Sequence, residues 1–62
     1  MESTLLKQAM KKLKPEHAEI LILRFSVGLP TKQVATLLGK SEAATYSLQV
    51  RAAEALRRVL AA

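Results

Sequence analysis

Residues 41–51 read SEAATYSLQVR, and the side chains they offer are of two kinds. Ser47 and Gln49 can exchange hydrogen bonds, whereas Ala43, Ala44, Tyr46 and Val50 present small or apolar surface. This mixture suits recognition better than bond-making. Hydroxyl and amide groups match the polar edges of nucleic-acid bases, and methyl-sized groups match thymine methyls. Glu42 could accept from a cytosine amino group or simply complement a helix dipole, and both readings stand. Cationic and anion-binding groups bound the stretch: Lys40 before it, Ser41 at its start and Arg51 at its end. Thr31 and Lys32 stand at a helix start, where backbone N–H groups suit an anion.

Catalytic chemistry is poorly provided for. The chain holds no glycine-rich phosphate loop, no paired Asp/Glu constellation, and no Ser or Cys with a base at usable spacing. A lone histidine, His17, cannot build a metal centre, and without cysteine there are neither disulfides nor thiolate sites. His17 reads as a surface residue near a helix start. No enzyme, metal, cofactor or small-molecule substrate is therefore expected, since a thin domain has little room for a substrate pocket.

Sixty-two residues allow one domain. A chain of that length buries only about 60% of the surface its unfolded form exposes. Half the residues are apolar, but Phe25 and Tyr46 are the only aromatics, so a thin core of aliphatic side chains is expected, which favours helices. Ten Lys and Arg against five acidic residues give a net charge of +5, a field that attracts polyanions. Nucleic acid is the first partner that charge suggests, although solubility alone would also account for it. The apolar run Ile20–Leu23 is far too short to span a bilayer, and no signal-peptide pattern opens the chain. A cytoplasmic protein with no membrane partner is expected.

The elements that must position these groups follow from periodicity. Leu6, Met10 and Leu13 recur at helical spacing, with Ser3 or Thr4 as a cap, and predict a first helix over about 4–13. Pro15 suits the first position of a second, over 15–26, which Gly28 and Pro30 end. Thr31 can cap a third over 31–38, with Val34, Leu37 and Leu38 as its buried side and Ala35 allowing close approach. Gly39 stops it, Ser41 caps again, and an uninterrupted run over 41–60 places Thr45, Leu48, Ala52, Leu56 and Val59 on an inner stripe. The expected fold is an all-α, four-helix domain. A short helix, a glycine-containing turn and a longer second helix make a helix-turn-helix, which projects the amino end of the second helix toward a major groove. No wing is expected, because strands have no place in the pattern.

Three segments carry a family resemblance: LKPEHAEILILRF, VATLLGKSEAA and RAAEALRR. From Leu13 to Leu60 the chain resembles region 4, the C-terminal promoter-recognition domain, of bacterial RNA polymerase sigma factors, particularly the extracytoplasmic-function type. The resemblance implies a role in transcription initiation: docking on the flap of the polymerase β subunit and placing the last helix on the minus-35 promoter element. Many relatives are held inactive by an anti-sigma factor, which joins the candidate partners. Arg24 matches a family position that contacts a phosphate; the plainer alternative is that it lies along the surface and solvates its own helix end.

Departures from the pattern bear on affinity. Lys40 and Thr45 replace usual apolar residues, Ala53 a frequent Arg, and Tyr46 a common Lys or Arg. With fewer charges to neutralise phosphates, the isolated domain is expected to bind DNA feebly. The base-facing set is expected to be Glu42, Ala43, Tyr46, Ser47, Gln49 and Val50, and the phosphate set Arg24, Thr31, Lys32, Lys40, Ser41 and Arg51. Arg57 and Arg58 lie beyond the groove-entering turn and read as a solvated face.

Four consecutive apolar residues, Ile20–Leu23, cover most of a helix's circumference at about 100° each, so one must point away from the core. Ala18, Ile22 and Phe25 are the expected outward patch for a protein partner, unless the first helix packs over that face and closes it. The resemblance leaves the family's other domain without a counterpart, so a fragment of a longer chain is expected, with a natural stand-alone adaptor as the alternative. Two rival functions share the fold. One is a LuxR-like dimeric regulator; the other is a protein-interaction module that has lost DNA binding.

Overall fold

The computed structural model describes residues 4–61, which form α1 (Thr4–Lys11), α2 (Pro15–Leu21), α3 (Thr31–Leu38) and α4 (Glu42–Ala61). No strand occurs among the described residues, in keeping with the all-α expectation.

α2 starts where proline chemistry demands. Lys14 is held extended at φ −57°, ψ 145°, and Pro15 takes the first helical position. The helix was expected to run regularly to residue 26. Beyond Leu21 it instead widens into a π-helical turn, Ile22–Ser26, in which the Val27 N–H donates to the Ile22 carbonyl five residues back, at 2.9 Å. Gly28 then adopts φ 89°, and the Leu29 N–H reaches the Leu23 carbonyl at 2.9 Å. That closing bond spans six residues where a Schellman cap spans five, so the extra residue of the π turn is carried into the cap.

α3 has the expected bounds but a different start and face. Pro30, extended at ψ 156°, occupies the N-cap position, and no side chain caps the helix. Thr31 is therefore its first helical residue rather than its cap, and its hydroxyl is free to turn toward α4. Val34 and Ala35 are buried and Leu38 is half-buried, whereas Leu37 is 61% exposed. Steps of three and four from Thr31 give one stripe through residues 31, 34, 35 and 38; Leu37 falls to the side that no other helix covers.

The turn that follows is closed at both ends. Gly39 sits at φ 67°, the Lys40 N–H donates to the Ala35 carbonyl at 3.0 Å, and the Gly39 N–H to Thr36 at 3.3 Å, a complete Schellman cap. Ser41 then caps α4, its Oγ accepting the Ala44 N–H at 3.0 Å.

The core gathers where α2, α3 and α4 meet: Ile20, Leu21, Val34, Leu48 and Ala52 are buried, with Met10, Leu13, Leu23, Leu29, Leu38 and Leu56 packed around them. Thr45 is the one buried polar side chain described, and its hydroxyl donates to the Ser41 carbonyl at 2.8 Å, so the position costs no unmet hydrogen bond. The expected inner stripe of α4 thus holds, fully buried at Thr45, Leu48 and Ala52 and half-buried at Leu56 and Val59. The slab is only 14 Å across its shortest axis.

α1 is shorter than expected. Regular helix stops at Lys11, and tighter bonds from Lys12 to Ala9 (3.0 Å) and from Leu13 to Met10 (3.2 Å) finish the segment. The proposed cap Ser3 lies outside the described residues. α1 rests chiefly on α4, with only Ala9 buried, and it leaves part of α2 uncovered.

Candidate nucleic-acid interface

The amino end of α4 stands clear of the domain. Glu42, Ala43, Ala44, Tyr46, Ser47, Val50 and Arg51 are all exposed, as are Lys40 and Ser41 in the turn and Lys32 on α3. Five of the six residues expected to face bases therefore share open surface; Arg51 curls back toward the Ser47 carbonyl at a long 3.5 Å. Every polar side-chain atom buried among the described residues has a hydrogen-bond partner, so this end is not held by an unmet polar group.

Gln49 is the exception. It is half-buried beside the inner stripe, and its Oε1 accepts from Arg24 Nε–H at 3.0 Å and from the Thr31 hydroxyl at 3.3 Å. The expected base reader is instead engaged by its own domain. Arginine offers only donors, so chemistry fixes the amide's orientation: the carbonyl end must face Arg24.

Arg24 reaches this junction from the π turn. Its Nη1 donates to the Leu29 carbonyl at 2.7 Å, just ahead of α3, and its guanidinium carbon lies 5.1 Å from the Phe25 ring centroid. The plainer alternative for Arg24, a side chain lying along the surface and solvating its own helix end, is not what forms: the half-buried guanidinium reaches past that end to the Leu29 carbonyl and to Gln49 on α4. Of the five guanidinium N–H groups, those to Gln49 and Leu29 are engaged and three remain. Arg24, Thr31 and Gln49 are thereby brought together, while Lys32, Lys40, Ser41 and Arg51 stay at the surface around them.

The geometry agrees with comparison to known proteins. Residues 9–58 match the family model described as "Sigma-70, region 4". The chain belongs to this family. It is also 37% identical over 60 residues to the ECF RNA polymerase sigma factor BldN of Streptomyces coelicolor. The match covers 97% of this chain and 23% of that protein, so the chain spans about a quarter of its relative's length. No solved structure gives a significant match. Region 4 is a DNA-binding helix-turn-helix domain of sigma factors, not an enzyme. No described helix is long and apolar enough to cross a membrane.

A second feature of this region 4 domain lies away from the turn. Leu6, Met10, Leu21, Ile22, Phe25 and Leu56 line an open apolar groove of about 500 Å³ between α1, the end of α2 and α4, with Lys7 and Lys11 on its rim. Of the four consecutive apolar residues, Ile22 is the one that turns outward, at 44% exposure, and Phe25 is 62% exposed. Ala18 does not join them: it is half-buried and lies outside the groove. α1 forms one wall of this face rather than closing it. The contribution of Leu6 and Met10 was hidden in the sequence because their helical spacing reads equally well as core.

Proposed function

We propose that this chain is the promoter-reading domain of an extracytoplasmic-function sigma factor, laying the outward face of α4 on the minus-35 element while its apolar groove takes the flap of the polymerase β subunit. The observation that carries the reading is the open amino end of α4, where Ala43, Tyr46, Ser47 and Val50 are exposed behind a doubly capped turn. Small and apolar groups there meet thymine methyls, and Ser47 supplies a hydrogen bond. The outer N–H groups of Arg24 and the backbone N–H of Thr31, with Lys32, Lys40, Ser41 and Arg51, meet the phosphates on either side. The work is cytoplasmic, alongside the polymerase. An anti-sigma factor occupying the groove would compete with the flap.

The test is binding to minus-35 duplexes over a salt series, together with capture of the isolated β flap. Affinity that falls steeply with salt is expected, and its absence leaves only the protein-interaction module. A dimer on palindromic sites would instead favour the LuxR-like regulator. Arg24→Ala is expected to weaken binding to all duplexes about equally, whereas Ser47→Ala changes which bases are preferred. Unchanged preference after Ser47→Ala means that another face enters the groove.

A further inference from the structure

The polar junction between α4, the π turn and α3 has a role that its members' exposure does not disclose. We propose that Gln49 is a positioning residue for DNA binding: its side-chain carbonyl holds the Arg24 guanidinium so that the outer N–H groups face a backbone phosphate. This inference rests on the promoter-reading function proposed above.

Three observations carry it. A single acceptor, Gln49 Oε1, takes both the Arg24 Nε–H and the Thr31 hydroxyl, so residues from three segments converge on one oxygen. Arg24 is held at a second point by the Leu29 carbonyl at 2.7 Å, and two bonds on different nitrogens fix a planar guanidinium in orientation as well as position. The group is also half-buried, where a charge-assisted hydrogen bond is worth more than at an open surface. An arginine stem otherwise has several rotatable bonds whose freedom is lost on contact with DNA. Fixing it beforehand removes that cost from binding.

The consequence is unusual for an uncharged residue. Replacing Gln49 with Leu keeps similar bulk but removes the acceptor, and Arg24 then loses its aim. Across a salt series, Gln49→Leu is expected to lower the slope of log K against log salt by about one, as Arg24→Ala does. Affinity for every duplex in a panel is expected to fall by about tenfold, the scale of one charge-assisted contact, with the ranking of duplexes kept. Combining the two substitutions should add little to either alone.

Melting of each variant, followed by circular dichroism, separates this from loss of fold. If Gln49→Leu does not fold, Gln49→Met, which keeps an unbranched side chain of similar length but lacks the oxygen acceptor, is expected to give the same uniform loss. The Arg24 Nε–H proton resonance supplies a readout independent of DNA. Slow exchange is expected in the parent and in Gln49→Glu, which keeps the acceptor, and fast exchange in Gln49→Leu. A changed ranking of duplexes with an unchanged salt slope would make Gln49 a base reader and overturn the inference alone. An Nε–H that exchanges rapidly in the parent also overturns it. Absence of salt-dependent binding by the parent chain defeats the promoter-reading function itself.

Discussion

The junction of α3 with α4 and the groove beside α1 are built from different kinds of interaction. At the junction an apolar floor of Val34 and Leu48 is overlaid by contacts that have a direction: the Schellman bonds at Gly39, the Ser41 cap, the Thr45 hydroxyl on the Ser41 carbonyl, and the Arg24–Gln49–Thr31 cluster. The groove is held by apolar contact, which has no preferred angle, and it is left half covered, with Leu6 at 42% exposure. Directional bonds fix the geometry that a rigid duplex must meet. Non-directional surface left open adapts to a protein, whose side chains can repack against it.

The largest effect that could break this contrast is in the shared core. Leu48→Ala removes a buried side chain beneath the reading helix and is expected to cost about 2–5 kcal/mol. A domain of this size rarely holds more than about 3–5 kcal/mol, so urea titration should find the variant largely unfolded. A well-folded Leu48→Ala would mean that the polar junction carries the fold without its apolar floor. Next comes the turn. Gly39→Ala meets no neighbouring atom, so its expected cost of about 1–2 kcal/mol is that of the left-handed backbone alone, read as a lower urea midpoint with unchanged slope. The smallest effect lies in the groove. Ile22→Ser should move stability by no more than about 0.5 kcal/mol while abolishing capture of the β flap. A large loss of stability there would show that the groove is core after all, and would remove the contrast.

The turn between α3 and α4 was legible in the sequence because its boundaries have local causes: glycine where φ is positive and serine where orphan N–H groups need an acceptor, just as proline marks the start of α2. Features decided by distant contacts were not. Leu37 and Leu38 both fit the spacing from Val34, and only the position of α4 selects Leu38 for the interior. Gln49 reads as a base-facing residue because its amide suits base edges, yet its partner Arg24 lies 25 residues earlier. Thr31 is a good cap in isolation, but Pro30 takes that position and leaves the threonine hydroxyl for α4. Nothing in the residue types ILRFS marks a π turn; the bonds that accompany it, to Leu29 and Gln49, come from outside the segment.

That widened turn makes chain length in this stretch a stricter constraint than residue identity. Between Ile22 and Gly28 the backbone holds one residue more than an α-helix of the same rise would need. A deletion such as loss of Ser26 takes out that surplus residue and lets the segment rewind to 3.6 residues per turn with its ends in place. The loop leading to α3 keeps its point of departure, but the widened turn that carries Arg24 to Leu29 and Gln49 is lost. Substitutions here alter one contact at a time, whereas a single-codon deletion removes the approach of Arg24 to the junction as a unit.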